Sequence, residues 1–201
     1  MKFGITTAVA LVMGAGAALA QPTLNEQAPD FTATTIEGET ITLSDLHGQK
    51  VVLEWTNHGC PFVQKHYDSG NMQSTQEFAD EQGALWISVI SSAPGKQGHV
   101  TAAKARELTV SRGASPDHIV LDETGDIGKL YTARTTPHMF VINEGGALSY
   151  AGAIDSIPSG NPADIEEAEN YVQSALTDLA AGEEVRTPTS SPYGCSVKYG
   201  S

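Results

Sequence analysis

Short apolar runs rich in β-branched residues recur along the chain and predict strands. The clearest runs are residues 50–55 and 84–90, with a shorter candidate at residues 118–121. Each run is too short for a typical buried helix and is bounded by glycine or polar residues, which favours a strand. Stretches with helical spacing separate these runs, so strand and helix alternate. That alternation is typical of parallel β-α-β units in an α/β fold.

The helical stretches are recognised by their periodicity and by the residues at their ends. A proline precedes the first of them, a glycine-containing turn separates the first two, and glycines stop the third and the last. The predicted helices span residues 62–68, 72–82, 100–112, 126–131 and 163–180.

Two β-hairpins complete the pattern. The first is expected near the start of the domain, where residues 28–31 open an extended segment and residues 40–43 alternate like a short strand. The second joins residues 139–142 to residues 148–152 through a turn rich in glycine. The tail, residues 183–201, contains two X-Pro pairs and is expected to be irregular.

The first twenty residues differ from the rest of the chain. They carry one positive charge at Lys2, then an apolar run, and end in the small residues Ala18 and Ala20. This pattern predicts a secretory signal peptide that is cleaved after Ala20. The run is too short and too rich in Gly and Ala for a comfortable membrane anchor, and no later stretch could cross a membrane. We therefore expect a periplasmic or extracellular protein without membrane insertion once the leader is removed.

The charge of the chain narrows the choice of partners. Eleven basic residues stand against 24 acidic ones, a net charge of −13. Nucleic-acid binding needs clustered Lys and Arg, so nucleic acid is excluded as a partner, and the charge more simply keeps an exported protein soluble. The length suits one hydrophobic core. We expect a signal peptide over residues 1–20, one domain over residues 24–182 and a tail over residues 183–201.

Cys60 is the strongest candidate for chemistry. Pro61 suits the first position of a helix, so Cys60 falls at the N-cap directly after a buried strand. A thiol there faces the free N–H groups of the first turn and the positive end of the helix dipole, and both favour the thiolate. The thiolate is the nucleophile in disulfide exchange and in attack on a peroxide. The alternative is an inert Cys60, either a small buried residue or one half of a structural disulfide with Cys195.

The sequence around Cys60, VVLEWTNHGCPFV at residues 51–63, resembles the active-site strand and turn of thioredoxin-like proteins. The nearest branch is the alkyl hydroperoxide reductase/thiol-specific antioxidant, or redoxin, family. Three further segments fit that family: APDF at 28–31, TTPHMFVI at 135–142 and YGCSVKY at 193–199. The resemblance extends over about residues 24–200. It implies a central mixed β-sheet flanked by helices, with an N-terminal β-hairpin and an irregular C-terminal tail.

The resemblance also implies roles for two residues that follow one another. Pro137 matches the cis-proline that faces the active-site cysteine in thioredoxin-like proteins. Together with Thr136, it would offer backbone groups to a bound substrate strand. A cis X-Pro bond is a minority state that usually has a purpose where it is built in. The alternative is a trans proline that opens the following strand.

The chain departs from the family pattern in two places, and neither place supplies a second cysteine close to Cys60. Thioredoxins use Cys-x-x-Cys, but no second cysteine lies three residues before or after Cys60. Peroxiredoxins place a Pro and a Thr before their cysteine where this chain has Leu53 and Asn57. Cys195 is therefore the candidate resolving cysteine, which would attack a sulfenic acid or mixed disulfide at Cys60. Its alternative role is a permanent clamp that holds the tail to the domain.

Histidines are also expected near the site. His58, His66 and His138 lie close to the cysteine or the proline in sequence, and one of them could act as a base or stabilise the thiolate. With Cys60 they could instead bind a soft metal, but no recognised ligand spacing is present, so we expect no metal and no cofactor. The predicted supporting residues are Asn57, His58, Pro61 and His138.

These features together predict an exported thiol-dependent oxidoreductase that acts through Cys60. Its substrate would be a peroxide or a protein thiol or disulfide, and its reductant an unidentified component of the cell envelope. Two alternatives stay open at this point. One is a non-catalytic binding module with a structural Cys60–Cys195 disulfide, and the other is a metallochaperone.

Overall fold

A computed structural model describes residues 22–200 of the protein, so the predicted leader lies outside the described residues. The strands are β1 (Thr32–Thr34), β2 (Thr40–Thr42), β3 (Lys50–Trp55), β4 (Ala84–Ile90), β5 (His118–Leu121), β6 (Thr135–Thr136), β7 (His138–Ile142), β8 (Leu148–Gly152) and β9 (Cys195–Ser196). The α-helices are α1 (Pro61–Asp68), α2 (Asn71–Glu81), α3 (Ala102–Arg112), α4 (Asp126–Leu130) and α5 (Tyr171–Ala180). Two short 3-10 helices span Leu43–Leu46 and Pro162–Glu166. Over residues 22–200, no helix combines the length and apolarity needed to cross a bilayer.

The central sheet is mixed and has the strand order β5-β4-β3-β7-β8. β3 pairs in parallel with β4 and antiparallel with β7, and all six of its residues are buried. Alternation along β3 sends Leu53 and Trp55 into one apolar cluster and Val52 into the cluster on the opposite face. Both faces of the sheet are therefore apolar and must be covered by other elements. The central strand, β3, ends a few residues before Cys60 in the sequence.

Most predicted elements are confirmed, with shifts of one or two residues at their ends. The N-terminal hairpin pairs Thr32–Thr34 with Thr40–Thr42, somewhat later than its first expected strand. The single helix expected over residues 163–180 is wrong, because a 3-10 helix ends at Glu166 and α5 begins only at Tyr171. Asn170 explains the late start, since its side chain accepts hydrogen bonds from the first free N–H groups of α5.

Most of the tail is irregular, as the sequence predicts, but Cys195–Ser196 forms a short strand. β9 pairs antiparallel with β6, with Thr135 opposite Ser196 and Thr136 opposite Cys195. The tail continues along the same edge, where the Val197 N–H donates to the Arg134 carbonyl at 3.0 Å. The prolines of the tail all precede this segment, so each of its N–H groups is free to pair.

Gly194 allows the tail to approach this edge. Its φ is +134°, and a Cβ at this position would collide with the Thr136 carbonyl. We therefore expect Gly194→Ala to lower the population of the docked tail by roughly tenfold, because backbone strain and the collision act together. The yield of Cys60–Cys195 disulfide after mild oxidation, read by non-reducing peptide mapping, measures this effect. Gly182→Ala is the matched control, since Gly182 has φ +72° but no atom within 4 Å of its Cβ position. Equal yields from the two variants would contradict the prediction.

Candidate active site

Cys60 lies at the junction of the central strand and α1. It is the N-cap of α1, with φ −86° and ψ 123°, and Pro61 is the first helical residue, as the sequence predicts. A tight turn leads into it, in which the Cys60 N–H donates to the Asn57 carbonyl at 3.0 Å and the Gly59 N–H donates to Asn57 Oδ1 at 2.9 Å. The buried Asn57 side chain thus shapes the backbone that presents the cysteine.

A loop after β4 supports this turn from outside. Gln97 Nε2 donates to the Gly59 carbonyl at 2.7 Å, and Asn57 Nδ2 donates to the Gln97 carbonyl at 3.2 Å. Gly98 makes room for the amide, because a Cβ there would collide with Asn57. The sequence carried no clear signal for this support, since the loop lies about 40 residues from the turn.

The Cys60 sulfur faces the loop that contains Pro137. The Cys60 side chain is 0% exposed, and its thiol donates to the Thr136 carbonyl at 3.1 Å. The Thr136–Pro137 bond is cis, as the sequence resemblance predicts. The structure therefore brings Cys60, Thr136 and Pro137 together from positions about 76 residues apart.

Cys195 completes the cluster from the tail. It lies opposite Thr136 across β6 and β9, the residue whose carbonyl accepts from the Cys60 thiol, and it packs against the apolar cluster that contains Cys60. Both cysteines are free thiols in this structure, Cys60 buried and Cys195 half-buried. Cys195 thus lies where a resolving cysteine could meet Cys60 without a large movement.

The two thiols have opposite pKa shifts. Burial raises the pKa of Cys60, but the Cys195 thiol, the Val63 N–H and the Thr136 hydroxyl outweigh it and bring this pKa below its ordinary value. The Cys60 side chain accepts no N-cap hydrogen bond of normal geometry. The Val63 N–H still lowers the pKa of Cys60, because it lies near the sulfur and stabilises the thiolate. Burial, followed by the hydrogen bond to Cys60 and the charge of that sulfur, raises the pKa of Cys195 to about 11. The pair therefore favours a thiolate on Cys60 and a proton on Cys195.

The titration of the two thiols can be measured separately. We expect alkylation of Cys60 by iodoacetamide, resolved by mass spectrometry, to reach half its maximal rate at a lower pH than alkylation of Cys195. Cys195→Ala should move the Cys60 midpoint upward, because the donor thiol is lost, whereas Cys195→Ser should move it less because a hydroxyl can still donate. A Cys60 midpoint at or above that of Cys195 would contradict the assignment.

Protonated histidines do not explain the thiolate. Burial and then Lys65 lower the pKa of His66 to about 4, with the nearby Asp155 opposing, and burial and then Arg134 lower the pKa of His138 to about 3. Burial and nearby basic groups also lower the pKa of His58. All three are therefore neutral near pH 7. Within residues 22–200, no group of three or more His, Cys, Asp or Glu side chains is placed to hold a metal ion.

A buried polar pocket anchors the tail two residues before Cys195. Lys65 Nζ lies 3.1 Å from Asp155 Oδ2, and both residues are no more than 3% exposed. Tyr193 enters this pocket: its hydroxyl donates to Asp155 Oδ1 in a short hydrogen bond and lies 3.2 Å from His66 Nε2. Its ring packs edge-on against Phe62, with 5.8 Å between ring centroids. We call this site, formed by Phe62, Lys65, His66 and Asp155, the tyrosine pocket.

Neither the tyrosine pocket nor the buried carboxyl group of Glu54 is predicted from the sequence. Glu54 lies in β3 at 0% exposure and accepts hydrogen bonds from Tyr67, Trp86 and Ser88 at 2.9–3.0 Å. Burial raises its pKa. An acidic residue next to the apolar run at residues 51–53 of β3 was the available signal for this group. For the pocket, the signal was Tyr193 in the same tail motif as Cys195.

The fold, with a cysteine at the N-cap of α1 facing a cis-proline loop, defines a thioredoxin-like oxidoreductase. The chain belongs to the AhpC/TSA family, whose model matches residues 24–151. The matched region contains Cys60, Thr136 and Pro137 but ends before the tail that carries Cys195.

Individual proteins are similar to this chain in sequence or in fold. Sporulation thiol-disulfide oxidoreductase A of Bacillus subtilis is 29% identical over 118 residues, which is 59% of this chain and 67% of that protein. Two solved structures share the fold over 89% of this chain. An uncharacterized conserved protein of Geobacillus kaustophilus has a TM-score of 0.72, 22% identity and 93% of its own chain covered. A hypothetical protein of Sinorhizobium meliloti has a TM-score of 0.71, 20% identity and 96% of its own chain covered.

Proposed function

We propose that the protein is an exported thiol–disulfide oxidoreductase in which Cys60 is the nucleophile and Cys195 the resolving cysteine. The observation that carries the proposal is the position of Cys195 opposite Thr136, whose carbonyl accepts a hydrogen bond from the Cys60 thiol at 3.1 Å. The lowered pKa of Cys60 and the raised pKa of Cys195 agree with these roles. The reaction named for the Bacillus subtilis relative supports this class of chemistry. The signal-peptide pattern of residues 1–20 supports the exported location.

The proposed cycle begins at the edge of β6. A substrate strand displaces β9, and the Cys60 thiolate attacks one sulfur of the substrate disulfide R–S–S–R′. A new S–S bond forms between Cys60 and the sulfur that carries R, the S–S bond of the substrate breaks, and R′–S⁻ leaves. In its thiol form, Cys60 donates to the Thr136 carbonyl beside this edge, whereas the Val63 N–H and the Thr136 hydroxyl favour its thiolate form. Pro137 fixes the turn of backbone next to it. Asn57 and Pro61 orient the cysteine from the other side.

The return of the tail completes the cycle. The Cys195 sulfur attacks the Cys60 sulfur of the mixed disulfide, so a Cys60–Cys195 disulfide forms and the bond from Cys60 to the substrate sulfur breaks. The departing substrate sulfur takes the proton of Cys195 and leaves as the thiol R–SH. Two electrons have then passed from the protein dithiol to the substrate. An external thiol restores the dithiol by two exchange steps. The high pKa of Cys195 makes Cys60 the better leaving group in the protein disulfide.

The test is redox cycling with matched assays. Mild oxidation of the wild-type protein should yield a Cys60–Cys195 disulfide, and reduced protein should reduce a disulfide substrate faster than it reduces hydrogen peroxide. Faster peroxide reduction would change the substrate class. A disulfide that resists dithiothreitol in the folded protein, without any turnover, would support the structural clamp instead.

A further inference from the structure

We infer that the tail is an internal copy of the substrate, so that the enzyme prefers extended polypeptides with a tyrosine two residues before the reacting cysteine and a glycine between them. This inference rests on the proposed function, because it assumes that the substrate strand takes the place of β9 on β6. The register of that pairing then specifies which substrate residue meets which feature of the enzyme.

The register of β9 on β6 sets the position of the tail cysteine. Cys195 lies opposite Thr136 on the strand edge beside Pro137, and the Cys60 thiol donates to the carbonyl of that same Thr136. A substrate cysteine must reach the Cys60 sulfur to form a mixed disulfide. A substrate strand that pairs with β6 in the same direction therefore has its cysteine in register with Cys195.

The tyrosine pocket holds one side chain of the tail. Tyr193 stands two positions before Cys195, and the bend at Gly194 between them directs its side chain into the pocket beside Cys60. The pocket that receives it holds a buried ion pair whose carboxylate accepts the tyrosine hydroxyl, beside the ring of Phe62. When the tail leaves, Asp155 Oδ1 loses this hydroxyl donor and Phe62 loses its ring partner. A substrate tyrosine restores both contacts, whereas phenylalanine restores only the ring contact.

Gly194 passes close to the backbone of Thr136. The residue before the cysteine passes the Thr136 carbonyl so closely that a Cβ there would collide with it, and its φ of +134° is strained for other residues. The same geometry disfavours any larger residue at this place in a substrate. The structure thus assigns the pattern Tyr-Gly-Cys to the preferred substrate, with the strand running antiparallel to Thr135–Thr136.

Synthetic peptides test the inference on the full-length protein. The Cys195→Ser variant removes competition from the internal thiol, and peptides with the sequence of residues 189–198 carry thionitrobenzoate on their cysteine as a mixed disulfide. The Cys60 thiolate attacks the peptide sulfur, a Cys60–peptide disulfide forms, and coloured thionitrobenzoate leaves. The initial rate of colour release at low peptide concentration measures preference.

We expect the unchanged peptide to react fastest. Gly194→Ala or Tyr193→Phe in the peptide should slow the reaction by roughly tenfold, the latter because one hydrogen bond to a buried carboxylate is lost. Tyr193→Ala should slow it further, because the ring contact with Phe62 is lost as well. A scrambled peptide with its cysteine at the same position controls for intrinsic thiol reactivity. Adding Tyr193→Phe to the protein should raise the rate for every peptide, because the tail then competes less well for the pocket.

The outcomes separate the two proposals. If all peptides react with Cys60 at equal rates, the substrate preference is wrong and the thiol-exchange function stands. If no peptide reacts with Cys60 although the variant is folded, the proposed function itself is wrong. A faster reaction of the scrambled peptide would also overturn the inferred pattern.

Discussion

Replacing Cys195 by serine is expected to leave a protein that reacts once with a disulfide and then stops. In the wild-type protein, Cys60 attacks an aromatic disulfide such as 5,5′-dithiobis(2-nitrobenzoate), and Cys195 then releases the second aromatic thiol by closing the internal disulfide. The reduced wild-type protein should therefore release about two thionitrobenzoate ions per molecule, and Cys195→Ser about one. Turnover with an added thiol reductant should fall by roughly tenfold or more, because only external thiols can then release the mixed disulfide.

Two controls make this result specific to the site. Cys60→Ser keeps the half-buried Cys195 with its pKa no longer raised by Cys60, so any slow single release in this variant measures background thiol reactivity. Peptide mapping should find the remaining aromatic group of Cys195→Ser on Cys60. If Cys195→Ser instead keeps full turnover, Cys195 is not the resolving cysteine. If wild-type protein releases nothing and Cys195→Ser loses about 2–5 kcal/mol of stability under oxidising conditions, the pair is a clamp.

The reactive half of this site could be predicted from sequence because its determinants are local. The apolar run of β3, the turn and Pro61 occupy neighbouring positions, and each restricts the backbone around Cys60 in a way that a single sequence reveals. The Thr136–Pro137 bond was predicted differently, through resemblance to a family motif. Nothing in the local sequence distinguishes a cis from a trans proline there.

The resolving role expected of Cys195 already implied that the tail approaches Cys60, but its pairing with β6 could not be predicted because it depends on distant segments. Strand β9 has two residues, too few for a periodic signal, and its partner on β6 lies 59 residues earlier in the chain. Prolines before the motif suggested an irregular tail, but they say nothing about residues 193–199. The register is defined by the pairing of Thr136 with Cys195, which is known only from the folded structure.

The buried ion pair was hidden for a similar reason. Lys65 falls in a helix that contains several polar residues, and Asp155 lies 90 residues later in a loop. Either residue alone is typical of an exposed surface, and charged residues are rarely fully buried unless they are paired. Only the fold shows that the two charges are paired, and this pairing offsets the free-energy cost of burying each of them.

Asp155→Ala should therefore be among the most destabilising substitutions in this protein. The change leaves the Lys65 ammonium at 0% side-chain exposure with only the Ile157 carbonyl at 3.3 Å and the Tyr193 hydroxyl at 3.4 Å. Breaking a buried pair in this way costs about 3–5 kcal/mol, since a buried charge loses its compensating charge. Urea unfolding should show the loss as a lower midpoint at an unchanged slope.

The matched control is another pair of lysine and carboxylate at similar distance. Lys50 Nζ lies 2.9 Å from Glu144 Oε1, but the Glu144 side chain is 59% exposed, so Glu144→Ala should cost at most about 1 kcal/mol. If Asp155→Ala does not fold, the double variant Lys65→Met/Asp155→Leu still tests the argument, because removing both charges should restore much of the stability. Tyr193 would lose its acceptor in that variant, so the tail should dock less tightly even where the domain is stable. A free energy of unfolding for Asp155→Ala within about 1 kcal/mol of that for Glu144→Ala would show that the buried pair does not stabilise the fold in this way.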